Sequence, residues 1–203
     1  MQTQVGILGG TFDPIHMGHL MLAEQCREQI PLDQVWFMVS AAPPHKRERE
    51  ITPFDKRVDM VQLAIAGNPA FQVNEMEKER PGPSFTADTL SKLRRQHPQT
   101  EFLWILGSDT LPDLPHWHEP LNVVSLAKLI VVARPDWPVW PVEQLRAELN
   151  LKPDSPLHLQ VVSMPLVDIA SRDLRRRVAE GRSIRYLVPP AVAAYIQDKK
   201  LYR

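Results

Sequence analysis

Val5-Gly6-Ile7-Leu8-Gly9-Gly10-Thr11-Phe12-Asp13-Pro14-Ile15-His16-Met17-Gly18-His19-Leu20 is the stretch from which the rest of the chain is read. Val5 to Leu8 is a short all-apolar run, the pattern of a buried strand, and from Leu20 the spacing turns helical. The spacing predicts a helix over 20–29, stopped by Pro31. Between strand and helix lie Gly9, Gly10, Gly18, one proline, one carboxylate and two histidines. Gly9 and Gly10 are expected to turn the chain tightly and to let backbone N–H groups approach a ligand. A helix beginning near Gly18 aims its dipole and free N–H groups at the same place, which favours an anion. His16 and His19, three apart, can face one way and donate to phosphate oxygens, while Gly18 keeps a side chain out of their path. Neither the dinucleotide fingerprint nor the Walker loop is present. Metal ligation is disfavoured, because no third His, Cys or carboxylate follows at zincin spacing. A bare H-x-x-H pair on a solvated surface is the plain alternative.

Outward from this stretch, short apolar strands alternate with amphipathic helices. Strands are expected at 35–39, 71–73, 102–106, 129–133 and 158–162, and helices at 54–66, 84–96, 142–149, 171–180 and 190–199. This alternation implies an α/β fold, a Rossmann-like doubly wound parallel sheet with helices on both faces. The whole chain, 1–203, reads as one domain, with no internal repeat and no clear linker. A ligand site should then lie beyond the carboxyl ends of the strands, at a topological switch point. Three unusual segments fall at such ends: the glycine- and histidine-bearing stretch, Ser-Ala-Ala-Pro-Pro-His-Lys over 40–46, and Gly107-Ser108-Asp109.

Composition narrows the class. The 24 basic and 24 acidic residues balance to a net charge of zero, which argues against a protein held on nucleic acid by overall charge. No apolar run approaches the ~20 residues that span a bilayer, so no membrane association is expected. Residues 1–12 lack the basic start and long apolar core of a signal peptide. The lone Cys26 excludes an internal disulfide and suits a reducing cytosol, and its place in an apolar helical run makes it a packing residue. A cytoplasmic location is expected. The 20 prolines, about twice the usual ~5% share, predict many pinned loops.

The pattern G-x-F-D-P-x-H-x-G-H resembles the signature of the nucleotidyltransferase superfamily, related to the H-x-G-H of class I aminoacyl-tRNA synthetases. Further segments resemble the nicotinate-nucleotide adenylyltransferases within it: Pro43-Pro44-His45-Lys46, Ser84-Phe85-Thr86-Ala87-Asp88-Thr89-Leu90, Gly107-Ser108-Asp109, Trp117-His118 and Ile169-Ala170-Ser171-Arg172-Asp173-Leu174-Arg175. The resemblance implies attack by the phosphate of nicotinate mononucleotide on the α-phosphorus of ATP, giving deamido-NAD and pyrophosphate. It implies Mg²⁺ carried mainly by the ATP phosphates and water, with no protein metal cage. His16, His19, Lys46 and Arg175 become the expected catalytic set.

ATP would be held by Gly9, Gly10, Thr11, Phe12, His16, Gly18, His19, Gly107, Asp109, Ile169, Ser171 and Arg175. Asp109 falls to the adenosine or its ribose. Ser171, a candidate helix N-cap, and Arg175 fall to the phosphates. The chain departs from the family pattern at Ala170 and Arg172, where Ser and Thr are usual. The acceptor would meet His45, Thr86, Trp117 and His118, with the indole stacked on the pyridine ring and backbone N–H groups on the carboxylate. Asp13 would order its loop, since a phosphate nucleophile is already deprotonated. The competing readings are an adenylyltransferase for nicotinamide mononucleotide or phosphopantetheine, and a nucleotide-binding module without turnover. The residues do not exclude a homo-oligomer.

Overall fold

The computed structural model describes residues 2–42, 51–78, 82–134 and 136–203. Six strands form one parallel sheet: β1 (Thr3–Gly10), β2 (Gln34–Val39), β3 (Phe71–Asn74), β4 (Thr100–Gly107), β5 (Lys128–Val132) and β6 (Leu159–Val162). Their order is β3-β2-β1-β4-β5-β6. The four inner strands β2, β1, β4 and β5 carry nearly unbroken apolar runs because both sheet faces are covered there, while the edge strands β3 and β6 are only partly buried. Side chains alternate between two cores. Leu103 and Ile105 join one, while Phe102, Trp104 and Leu106 join the other.

The helices divide between these faces. α1 (Met17–Gln29), α2 (Phe54–Ile65), α6 (Ser171–Ala179) and α7 (Pro190–Asp198) pack on the first, through residues such as Cys26, Val61, Leu174 and Ile196. α3 (Thr86–Gln96), α4 (Pro120–Leu126) and α5 (Val142–Glu148) pack on the second, through Leu90, Val123 and Leu145. Cys26 is fully buried, and burial pushes its thiol up to about 12, which leaves it inert. The chain moves outward from β1 to β3 and then returns to β4 on the other side of β1. The switch point therefore lies between β1 and β4, where Ile7 is aligned with Trp104.

Two features depart from the expected pattern. A 3-10 turn (Leu111–His116) and α4 occupy a proline-rich region that reads as loop. Pro112 lies in the first positions of the 3-10 turn and Pro120 opens α4, where helical turns tolerate proline, while Pro115 lies inside the 3-10 turn. Leu111 and Leu114 are fully buried, so a turn long enough to bury two leucines replaces an open loop. Gly9 and Gly10, expected to form a tight turn after the strand, lie inside β1. The reason for glycine there is space. A Cβ on Gly9 would meet the Trp104 ring at 2.9 Å, and one on Gly10 the Phe12 ring at 2.9 Å. The turn itself is made by Phe12, whose φ is 49°.

Candidate active site

The corner after β1 is built around that left-handed residue. Such a backbone costs a non-glycine residue about 1–2 kcal/mol, and the nearly complete burial of the Phe12 ring offsets it. The ring packs edge-on against His19, with centroids 5.1 Å apart, and leans on Phe37. Phe12, expected among the ATP contacts, is thus a buried brace for His19. α1 starts at Met17, one residue ahead of the expected Gly18, with His16 as its N-cap in extended backbone.

The two imidazoles do face one way. Their rings stack with centroids 3.7 Å apart and planes 22° from parallel. The backbone N–H of His16 donates to Nδ1 of His19 at 3.3 Å. An Nδ1 that accepts carries no proton, so the neutral ring of His19 holds its hydrogen on Nε2. His16 is only 6% exposed, and burial, reinforced by the Arg134 charge, lowers its pKa to about 4. At neutral pH it acts as a hydrogen-bonding group and not as a cation. Gly18 leaves room for the ring, since a Cβ there would stand a tight 3.1 Å from His16 Nδ1.

The pair opens onto a cleft of about 680 Å³. Gly18, Ile169, Ser171 and Arg175 line it with His16 and His19, so six of the expected residues converge there from opposite ends of the chain. Ala170 and Arg172, the two departures from the family pattern, line it as well. Arg134, at the end of β5, and the segment 163–167, after β6, complete the wall. Arg134 carried no assignment from sequence. Its guanidinium lies 2.9 Å from Asp109, the residue expected to hold adenosine, and its backbone N–H donates to the buried Ser108 hydroxyl. Gly107 permits the pair, since a Cβ there would come within 2.9 Å of Arg134 Nε.

α6 is joined to the β1–α1 corner by hydrogen bonds. Arg175 donates through Nη1 to the Asp13 carbonyl, and Ser171 Oγ donates to the Pro14 carbonyl at 2.9 Å. Ser171 is therefore not the N-cap expected of it. Ala170 holds that position in extended backbone, and Ser171 opens the helix. Asp13 is 5% exposed and takes a hydrogen bond at 2.7 Å from Tyr202, near the other end of the chain. A buried, bonded carboxylate orders the loop.

The described acceptor residues, Thr86, Trp117 and His118, lie apart from this cleft. His45 and Lys46 fall outside the described residues. Thr86 opens α3, half-buried, with Phe85 as the N-cap. His118 is exposed and stacks on Phe85, with centroids 4.3 Å apart. Trp117 is half-buried against the second core, which makes it a packed anchor as well as a candidate stacking surface. Among the described residues, no three His, Cys, Asp or Glu side chains gather into a metal-holding group. No helix among them is long and apolar enough to cross a membrane.

Comparison with known proteins places this geometry. Residues 7–177 match the cytidylyltransferase-like family model. A Thermomicrobium roseum protein described as "Probable nicotinate-nucleotide adenylyltransferase" is 45% identical over 201 residues, 99% of this chain and 92% of the relative. A Pelobacter propionicus protein of the same description is 43% identical, covering 98% of each chain. The solved Plasmodium falciparum nicotinic acid mononucleotide adenylyltransferase, complexed with NaAD, shares the fold. It has a TM-score of 0.80 at 21% identity, covering 98% of this chain and 97% of that one. The chain belongs to the cytidylyltransferase-like family and, within it, to the nicotinate-nucleotide adenylyltransferases.

Proposed function

We propose that this chain transfers the adenylyl group of ATP to the phosphate of nicotinate mononucleotide, forming deamido-NAD and releasing pyrophosphate. The observation that carries the proposal is the stacked His16–His19 pair at the mouth of the cleft, faced by Arg175 and the start of α6. It joins hydrogen-bond donors, a cation and a helix N-terminus, the three groups that stabilise phosphoryl oxygens. The acceptor phosphate is its own nucleophile, so the protein supplies alignment and charge stabilisation instead of a covalent intermediate.

In this reading Nε2–H of His19 donates to the α-phosphate as charge builds on it. His16 adds a second donor, and Arg175, Ser171 and the first turn of α6 hold the departing phosphates. Mg²⁺ would be carried mainly by ATP, where it would offset phosphate charge beside the donors of this corner. Asp109, fixed by Arg134, faces the ribose. The acceptor binds on the far side of the switch point, at Thr86, Trp117 and His118, with His45 serving its phosphate and Lys46 the ATP phosphates from the segment after β2. A site built to pair a carboxylate disfavours the carboxamide, which leaves buried donors unpaired.

The test is pyrophosphate release from ATP and Mg²⁺ with nicotinate or nicotinamide mononucleotide as acceptor. Turnover with a preference for the acid is expected. A preference for the amide overturns the acceptor assignment. No release with any acceptor overturns the enzyme reading in favour of a binding module.

A further inference from the structure

Arg57 sits on α2, outside the cleft, and is the largest fully buried side chain, 1% exposed. Among the described residues no carboxylate lies within ion-pair distance of it. Its guanidinium instead donates to three main-chain carbonyls: Nε to Thr52, and Nη1 to both Thr11 and Ser40, each at 2.8 Å. Burial holds its pKa below the usual arginine range. Asp13 and Glu77 act on it only at longer range, and a buried cation without an ion-pair partner costs several kcal/mol that an apolar side chain of similar size would avoid. Stability alone therefore does not account for an arginine here.

What the three carbonyls have in common is their position. Thr11 belongs to the corner that leads into His16 and His19, Ser40 follows β2, and Thr52 precedes α2. The segment after β2 is gripped from its other side too. Glu77, 5% exposed, accepts from the Ala41 N–H at 3.4 Å and from the Thr89 hydroxyl of α3 at 2.7 Å. Ala42 and Ser84 exchange two hydrogen bonds, the Ser84 N–H to the Ala42 carbonyl and the Ala42 N–H to the Ser84 hydroxyl. A continuous run of polar contacts therefore joins the histidine corner, through Arg57, to residues 40–42. From there it continues to the start of α3, where Thr86 lies.

The geometry points to Arg57 as a positioning residue for group transfer, one that fixes the histidine corner against the acceptor side without touching either nucleotide. The inference rests on the adenylyl-transfer reading above. In-line attack between two bound nucleotides depends on their separation, and an error near 1 Å costs about 10²-fold in rate. Lysine cannot replace the guanidinium, because a single ammonium cannot reproduce its planar, forked donor geometry.

Arg57→Lys and Arg57→Met test this, with folding followed by thermal melts. Binding of ATP and of nicotinate mononucleotide, each alone, is measured by calorimetry, and kcat by pyrophosphate release. Each nucleotide alone should bind within about threefold of wild type. In Arg57→Met, kcat should fall about 10²-fold, with a smaller loss in Arg57→Lys. Wild-type kcat in both folded variants, or a loss confined to the binding of one nucleotide, overturns the proposal. If Arg57→Met does not fold, Arg57→Lys decides alone, and wild-type kcat in it is the overturning result. A wild-type protein without turnover defeats the adenylyl-transfer reading itself, whereas wild-type turnover with unaffected variants defeats only the role of Arg57.

Discussion

His16 takes up its proton at about pH 4 in the folded chain, against 6.5 for an unperturbed histidine. Between those values the unfolded chain binds more protons, so folding stability falls as pH drops from about 6.5 to about 4. His16→Gln removes that contribution. Its denaturation free energy should decline less than wild type across this window, by on the order of 2–3 kcal/mol at the acid end. Parallel curves would show that His16 titrates normally. His19 is the complementary case, because in the proposed mechanism its Nε2–H donates to developing charge. His19→Ala should lower kcat by about 10²–10³-fold while the melt still shows a folded protein, the usual cost of deleting one such donor. Wild-type turnover would remove His19 from the mechanism. The histidine pair is legible in sequence from its spacing, but the low pKa of His16 is not, since it comes from burial and, secondarily, from the Arg134 charge. Arg57 left a fainter signal. It stands at an inward position of the apolar stripe formed by Phe54, Val58 and Val61, where a solvated charge would not be placed.

Elements decide how such residues meet. α6 is attached to the β1–α1 corner through Ser171 and Arg175, across more than 150 residues of sequence. Ser171→Ala deletes one neutral hydrogen bond, with an expected loss of about 1 kcal/mol in stability. The KM for ATP should rise about fivefold, the same energy expressed in binding. Denaturant titration and steady-state kinetics would check the two effects, and an unchanged KM would confine Ser171 to holding the fold. The helices and strands of this chain were largely legible, because a two-faced parallel sheet imposes plain apolar runs on its strands. The Leu111–His116 turn and α4 were not. Proline marks both loops and first helical turns, and a seven-residue helix offers too few periods to tell these apart.

At the scale of the whole molecule, function follows from the return of the chain to β4 beside β1. That reversal sets β1 beside β4, so the His16–His19 corner after β1, with α6 joined to it, and the segment after β4 that carries Trp117 and His118 lie at the same end of the sheet. The sequence by itself determined the α/β alternation, the glycine- and histidine-bearing corner after β1, and the family, because these depend on local pattern and motif. Only the tertiary structure decided that Gly9 and Gly10 make room for rings instead of a turn. It also decided that Phe12 braces His19, that Arg134 holds Asp109, and that Ser171 bonds Pro14 instead of capping its helix. Each of these is a contact between segments distant in sequence, fixed by packing and by the need to satisfy buried polar groups, and neither constraint is written in the spacing of neighbouring residues.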